Sequence, residues 1–332
     1  MEALSGAKIV VIGGGTGSFV VLTGLKRYSP SITALVSMAD DGGSTGQLRD
    51  ELGVLPPGDV RQCLVALSRH PDARNLFNYR FEDGSFKGHS FGNLFLSATE
   101  KMTGSFRDGI RLAGEILGTV GAVEPITLDK VTLCLDDGSD SILRHERNIE
   151  GKRFGAPRPR LWLEPNPEPN PAALQAIADA DLIVVSPGNP YKSLGPALVV
   201  PGIGDALKKA KAKRIYICNL VNKPGQTDNF AVHDYVSEME RLADTAFIDY
   251  VVYNTHQPSA ALLDRYAADG ELPVTIDSIA LDSASYQAVG ADLLSDVIWE
   301  NQSSNDPIAN ERTLIRHDPD RLARQIMRIF FS

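Results

Sequence analysis

Two glycine clusters, each directly after a short apolar run, constrain the fold of this chain more than any other feature. The apolar run 8–12 precedes the cluster GGGTG at 13–17, and the run 32–38 precedes the cluster DDGGSTG at 40–46. Glycine lets a chain turn sharply from a strand into a helix, so that bare N–H groups at the positive end of the helix dipole face an anion. Both clusters indicate phosphate-binding loops. A strand-to-helix turn without a ligand is the alternative for either one.

The order of apolar segments predicts an α/β fold. Strand-like runs at 8–12, 32–38, 181–186, 214–219 and 249–254 alternate with helical patterns, which is typical of a doubly wound, mainly parallel, Rossmann-like sheet. In such a sheet, loops at the carboxyl ends of the strands form the ligand site. We expect one domain over residues 1–332.

Two segments depart from this alternation. Residues 121–165 contain short alternating pieces around an Asp-Gly turn at 137–138, which predicts an antiparallel β excursion. The last helix is expected at about 318–331, because Asp318 followed by Pro319 is typical of an N-cap and a first helical turn. The polar segment 300–310 is expected to be mobile.

Charge and cysteine content limit the classes of function. The 33 basic and 42 acidic residues give a formal charge of −9, which argues against a general nucleic-acid-binding surface. The three cysteines lie in apolar surroundings without metal-ligand spacing, as expected of reduced cysteines in a cytoplasmic protein. The first apolar run is too short for a secretory or membrane-spanning segment, so we expect neither export nor membrane insertion.

The first cluster does not fit the common nucleotide fingerprints. A G-x-G-x-x-G frame starting at Gly13 meets Ser18 in its last position, and no Gly-Lys-Ser/Thr follows as in a Walker loop. Asp40 and Asp41 nevertheless lie where a dinucleotide fold places its ribose-binding acid, so a nicotinamide-dependent oxidoreductase is one alternative. The two acids could instead hold Mg²⁺ or accept a proton from a substrate hydroxyl, or form a plain turn.

Two further segments supply polar groups before the middle of the chain. Asp59 is expected to cap a helix that begins near residue 59, while Arg49 and Arg61 are candidate anion contacts or surface ion-pair partners. His89 precedes another helical run together with Asn93. The histidine is a candidate general base, phosphate donor or helix cap.

Polar loops also follow the third and fourth predicted strands. Asn189 and Ser193 suit hydrogen bonds to hydroxyl groups or base edges, and Lys192 suits a phosphate. Asn219 ends the next strand in a similar loop. We predict that all of these loops lie along one edge of the sheet. The candidate ligand-binding residues are Gly14, Gly15, Thr16, Gly17, Gly42, Gly43, Ser44, Thr45, Arg49, Asp59, Arg61, His89, Asn93, Gly188, Asn189, Lys192, Ser193 and Asn219.

Taken together, these motifs resemble the family that contains the bacterial gluconeogenesis factor (YvcK-like) and the 2-phospho-L-lactate transferase CofD. The resemblance covers nearly the whole chain and is carried by GGGTG at 13–17, ADDGGSTGQLR at 39–49, PPGDVR at 56–61, GHSFGN at 88–93 and YICN at 216–219. The DDGGSTG stretch is more similar to the gluconeogenesis-factor branch. Residues 187–190 and 195–196 are closer to the transferase branch, which leaves the nucleotide base open.

The resemblance implies a CofD-like fold and a nucleotide-sugar ligand such as a UDP-sugar, with a role in cell shape and cell-wall synthesis on gluconeogenic carbon sources. It adds Tyr266 and Arg316 as ligand residues. It favours a homodimer and leaves any regulatory protein partner open. If the chain instead resembles the transferase branch in activity, a guanosine-diphosphate donor, Mg²⁺ and an acid at the glycine loop are implied, with Asp40 or Asp41 as catalytic residue or metal ligand.

Overall fold

The computed structural model describes residues 6–139, 141–154, 158–295 and 315–332. Strands and helices alternate along most of this length. The strands are β1 (Ile9–Ile12), β2 (Ile32–Val36), β3 (Ala122–Pro125), β4 (Thr132–Asp136), β5 (Leu143–Arg144), β6 (Arg160–Glu164), β7 (Leu182–Val185), β8 (Lys213–Ile217), β9 (Tyr250–Asn254) and β10 (Gln287–Ala291). The helices are α1 (Gly15–Leu25), α2 (Gly43–Leu52), α3 (Gly58–Leu67), α4 (Pro71–Asn78), α5 (Phe91–Thr103), α6 (Phe106–Leu117), α7 (Glu146–Ile149), α8 (Pro171–Asp179), α9 (Gly195–Leu198), α10 (Ile203–Lys209), α11 (Val232–Leu242), α12 (Ala260–Ala268), α13 (Ser278–Asp282) and α14 (Pro319–Phe331).

Seven strands form one parallel sheet in the order β10-β9-β8-β7-β1-β2-β3. Ile9 in β1 pairs with Ile32 on one side and with Leu182 on the other. The strand order therefore reverses at β1, because β2 extends the sheet in one direction and β7 begins its extension in the other. Such a reversal is a topological switch point, where open α/β sheets form a crevice beyond the carboxyl ends of the strands.

Hydrophobic layers cover both faces of the sheet. All four residues of β1 are buried, and alternate side chains join different clusters, Val10 and Ile12 on one face and Ile9 and Val11 on the other. Helices α8 to α11 and the small sheet β5-β4-β6 pack on the first face, whereas α1, α3, α5, α6 and α14 pack on the second. A strand that is covered on both faces is apolar throughout, which explains its uninterrupted run of branched residues.

The structure confirms the predicted α/β class and its mainly parallel sheet. All five predicted strands belong to that sheet, but β3 and β10 are additional members. The predicted start of the antiparallel excursion at residue 121 is wrong, since β3 pairs in parallel with β2 at the edge of the main sheet. Only Val123 and Pro125 of β3 are buried, and this apolar pattern is too short to distinguish a main-sheet strand from a hairpin strand.

The predicted hairpin and the last helix are confirmed. Leu135 pairs with Leu143 in the antiparallel sheet, across the Asp-Gly turn. Asp318 caps α14 by accepting hydrogen bonds from the backbone of Asp320 and Arg321. The segment 300–310 lies outside the described residues. Among the described residues, no helix has the length and apolar character needed to cross a bilayer.

Candidate functional site

Four polar loops meet at the carboxyl edge of the sheet. They follow β1, β2, β7 and β8, and these strands are neighbours in the order β8-β7-β1-β2. The loop after β1 is the first glycine cluster, and the loop after β2 is the second. The predicted convergence of these loops along one edge therefore follows from the parallel pairing, and the β1–β7 switch point lies at their centre.

The first glycine loop is packed tightly against the loop after β7. A Cβ atom on Gly17 would lie 1.8 Å from the carbonyl oxygen of Pro187, so no larger residue fits there without movement of the backbone. The Ser18 and Ser186 hydroxyl groups share a buried hydrogen bond of 2.9 Å. Ser18, which breaks the dinucleotide fingerprint, thus joins the two sides of the switch point.

Asp59 occupies the amino end of α1. Its Oδ1 accepts a 2.8 Å hydrogen bond from the Gly15 N–H. A Cβ atom on Gly14 would lie only 1.8 Å from its Oδ2. The prediction that Asp59 caps its own helix was wrong: α3 begins at Gly58 with Pro57 as N-cap. The carboxylate is instead drawn to the positive end of α1, which is a favourable position for an anion.

Three carboxyl groups with raised pKa values surround this point. Burial, and then the Asp40 carboxylate, raise the pKa of Asp59 to about 7. The same two causes raise the pKa of Glu146 to about 8, and burial raises the pKa of Asp40. Lys192 lies 3.4 Å from Glu146 and opposes the pKa shifts of Glu146 and Asp40. Carboxyl groups that hold protons near neutral pH are typical of functional sites.

Glu146 was not predicted from the sequence. It lies in α7, inside the antiparallel excursion, two residues after the short strand β5, and no glycine cluster precedes it. The docking of the excursion against the main sheet brings it beside residues that are distant in the chain. The only local signal is its place in the acidic and basic stretch RHERNIE at 144–150, which equally suits an exposed helix.

A chain of buried and partly buried hydrogen bonds joins three of the sequence motifs. Ser44 in the second glycine loop contacts His89 Nδ1 at 2.9 Å and accepts a bond from the Asn93 amide at 3.2 Å. Asn93 in turn accepts from Arg61 Nε at 2.9 Å, and Arg61 also donates to Asn78. His89 is not the cap of α5, because Ser90 holds that position. The predicted anion contact Arg61 is thus anchored inside the protein, 7% exposed.

The first turn of α2 is the more open of the two glycine loops. No side chain caps this helix at Gly42, and a Cβ on Gly43 would meet nothing within 4 Å. Asp40 turns back on this loop: it accepts from the Gly42 N–H at 2.9 Å, and Thr45 hydrogen-bonds to it. Thr16 at the start of α1 is exposed as well, but the Asp59 carboxylate already occupies the amino end of that helix. Space for an anion is therefore greater at the second loop.

Asp41 faces away from Asp40 and toward the excursion. It is 2% exposed, accepts from the Arg147 N–H at 3.2 Å, and lies 2.6 Å from His145 Nδ1 and 3.8 Å from Arg49. The two aspartates thus have separate sets of partners. In the described parts of the chain, no three His, Cys, Asp or Glu side chains are arranged to hold a metal ion. Asp40 and Asp41 therefore do not form a shared cation site by themselves, and a Mg²⁺ ion on either one would need its remaining ligands from a bound phosphate and water.

The loop after β7 is held by side-chain amides. Asn189 accepts from the N–H groups of Tyr191 and Lys192 and donates to Gln226 at 2.7 Å. Asn219 pairs with both the N–H and the carbonyl of Gly188, each at 3.0 Å. Both asparagines therefore position the loop itself, and Ser193 continues it as part of a π-helical turn at Pro190–Leu194.

Tyr266 and Arg316 lie on the β8–β9 side of the edge. The Tyr266 hydroxyl accepts from the Ile315 N–H at 2.8 Å, and the tyrosine packs with Leu294 and Ile315. The Arg316 carbonyl accepts from the Ser295 N–H. A cavity at the ends of β8 and β9 is lined by Asn219, Leu294 and Ile315. Asn219 therefore connects this side of the edge with the loop after β7.

The fold and loops define a class: doubly wound α/β proteins whose glycine-rich loops converge at the switch point of a parallel sheet. Within it, this chain belongs to the family described as 2-phospho-L-lactate transferase CofD, whose model matches residues 9–294. The resemblance inferred from the motifs is thereby confirmed.

Relatives and a solved structure agree with this assignment. A Thermotoga maritima protein named "Putative gluconeogenesis factor" is 41% identical over 97% of this chain and 99% of its own length. The "Gluconeogenesis factor" of Bacillus subtilis is 35% identical, with 95% and 96% covered. The crystal structure of a UPF0052-family protein from Bacillus halodurans superposes with a TM-score of 0.86 at 34% identity, covering 97% of this chain and 99% of that one.

Proposed function

We propose that this protein binds a nucleoside diphosphate sugar, such as a UDP-sugar, in the crevice at the β1–β7 switch point and acts as a gluconeogenesis factor that supports cell shape and cell-wall synthesis. The observation that carries the proposal is the convergence of the four loops, with open space at Gly43 in the first turn of α2 at this edge. The start of a helix offers N–H groups and a positive dipole end to a diphosphate.

The names of the relatives support a regulatory role. We place the diphosphate at the second glycine loop, because Asp59 already occupies the amino end of α1. Lys192 supplies a positive charge beside this position, and Tyr266 and Arg316 extend the site toward β8 and β9. The ligand residues, the cytoplasmic location and a homodimer are part of this proposal.

A transferase of the CofD kind is the second candidate. The observation that favours it is the pKa of Asp59, which is raised to about 7, beside Asp40, whose pKa burial also raises; a carboxyl group that titrates near neutral pH can accept a proton from an acceptor hydroxyl. In this case Asp59, rather than the predicted Asp41, joins Asp40 as the candidate base, because Asp41 is tied to Arg147, His145 and Arg49.

Calorimetry with UDP-N-acetylglucosamine, GDP and NAD separates the candidates. We expect binding of UDP-N-acetylglucosamine. A preference for GDP together with deazaflavin binding would indicate the transferase, and a preference for NAD would indicate an oxidoreductase.

Replacement of Arg316 tests the site itself. Arg316→Ala is expected to weaken binding of UDP-N-acetylglucosamine by roughly 1.5 to 3 kcal/mol, because a charge-assisted hydrogen bond is lost. Arg324→Ala, which removes an exposed arginine of α14, is the matched control and should leave the affinity unchanged. Equal affinities for both variants would exclude Arg316 from the site.

A further inference from the structure

One segment of the excursion crosses the carboxyl edge of the main sheet. Residues 144–154, which we call the strap, contact the loop after β2 through Asp41, the loop after β7 through Lys192, and the loop after β8 through Gly225. In the sheet order, β1 lies between β2 and β7. The strap therefore passes over the switch point and the first glycine loop.

The far end of the strap is held by neutral contacts. The Phe154 N–H donates to the Gly225 carbonyl at 2.6 Å, and the Phe154 ring packs edge-on against Tyr191 at 5.1 Å. Gln226 donates to the Ile149 carbonyl at 3.0 Å, and the Ile149 side chain is fully buried in the core. These contacts do not depend on charge, so this end is a fixed attachment.

The near end is held by charged contacts together with a backbone hydrogen bond from the His145 N–H to the Leu133 carbonyl at 2.8 Å. Lys192 contacts Glu146 at 3.4 Å and also contacts Glu150, while Asp41 accepts from the Arg147 N–H and lies 2.6 Å from His145 Nδ1. His145 has φ of +75°, a conformation that a non-glycine residue adopts only where surrounding contacts impose it. One lysine thus serves two carboxylates at a point where Asp40 and Asp59 add further negative charge.

We propose that the strap is a displaceable counter-ion: a bound diphosphate takes Lys192 from Glu146 and Glu150, and the charged end of the strap is released. This inference rests on the proposed nucleotide site. Two negative phosphates compete for the lysine better than carboxylates that repel one another. Glu150, with its side chain 53% exposed, regains water on release.

The release gives the protein a ligand-dependent surface. The fixed end keeps the strap attached, so binding alters residues 146–148 and the Glu150 side chain, while Ile149 stays in the core and the small sheet stays folded. A partner that recognises the strap would detect whether the nucleotide is present.

The test combines charge removal with hydrogen exchange. In the double variant Glu146→Gln/Glu150→Gln, Lys192 has no internal carboxylate partner on the strap, so the affinity for UDP-N-acetylglucosamine should rise about three- to tenfold. In the wild type, the same ligand should increase hydrogen exchange of amides 146–148 but not of 152–154. Glu115→Gln, which breaks an exposed ion pair on α6, is the control and should leave the affinity unchanged.

The outcomes separate the two proposals. Binding by the wild type with equal or weaker affinity in the double variant would overturn the strap proposal and leave the nucleotide site standing. Absence of binding in both proteins would refute the nucleotide site, and the strap proposal with it. Binding that is detected only in the double variant would support both. If the double variant misfolds, the exchange measurement still tests the strap proposal, because it is made on the wild-type protein.

Discussion

At the scale of single residues, Asp59 is the most consequential group in the site. It is far in sequence from Gly15, yet it supplies the carboxylate that meets the first N–H group of α1. This position favours the charged form, whereas burial and the neighbouring Asp40 favour the protonated form, and the second effect prevails because its pKa is raised to about 7. Asp59 therefore binds or releases its proton inside the crevice at a pH of about 7.

A pH dependence of stability follows from Asp59. The folded-state pKa, about 7, is above the ordinary value of 3.8, so the folded state binds the proton more tightly than the unfolded state. The contribution of this group to the free energy of unfolding is fully present below pH 4 and is lost as the pH rises to 7. Asp59→Asn should flatten this decline in urea unfolding measured between pH 4 and 7.

Asp72→Asn, at an exposed carboxyl group on α4, is the control for this measurement and should keep the wild-type pH profile. A profile of Asp59→Asn that is as steep as that of the wild type would show that Asp59 does not hold its proton in the folded protein.

At the scale of elements, the start of α1 is defined by the close packing of Gly17 against the loop after β7. Gly17 lies in the first turn of the helix, where an alanine normally stabilises by about 1 kcal/mol through higher helix propensity. Here the Pro187 carbonyl oxygen occupies the space that the added methyl group needs, at 1.8 Å. Packing between two loops thus overrides the local preference of the helix.

Gly17→Ala is expected to lower the free energy of unfolding by about 1 to 3 kcal/mol, because the loop after β7 must shift to admit the methyl group. Chemical denaturation monitored by circular dichroism measures it. Gly42→Ala is a matched control at the start of the other loop, where the nearest atom would be 3.4 Å from the new Cβ and φ is −79°. A gain in stability for Gly17→Ala would contradict the packing that we describe.

At the scale of the whole molecule, the site is assembled from distant parts of the chain. The hydrogen bond between Ser18 and Ser186 spans 168 residues, and the contact between Arg147 and Asp41 spans 106. The parallel sheet makes the first contact possible, because it brings the ends of non-consecutive strands to a common edge. The docking of the antiparallel excursion on that edge makes the second. A ligand at that edge contacts elements from most of the described chain and should stabilise the fold as a unit.

This assembly predicts a ligand-dependent melting temperature. UDP-N-acetylglucosamine at a hundred times its Kd should add about 2.7 kcal/mol to the free energy of unfolding and raise the Tm by about 4 °C for a chain of this length. Differential scanning calorimetry over a series of ligand concentrations measures the shift, and free N-acetylglucosamine is the control. A Tm that does not vary with nucleotide-sugar concentration would argue against binding.

Local patterns were sufficient for the fold class and for most of the edge. Apolar runs followed by glycine or polar loops predict the strands and their carboxyl ends. Burial on both faces requires a short run of apolar residues, and a sharp turn requires glycine or polar residues directly after it. The cap of α14 at Asp318 is equally local and is confirmed. The strands β3 and β10 escaped detection because their apolar patterns are short and only partly buried.

The sequence by itself determined a doubly wound sheet with glycine loops at one edge and a set of polar candidates beside them. Only the tertiary structure decided how these candidates are used: Asp59 bonds to Gly15 rather than capping α3, Asp41 turns to the strap, and Glu146 enters the site. The physical reason is that hydrogen-bond partners and desolvation depend on which elements pack together. Those contacts are set by the whole fold and cannot be inferred from the spacing of residues in a short stretch of sequence.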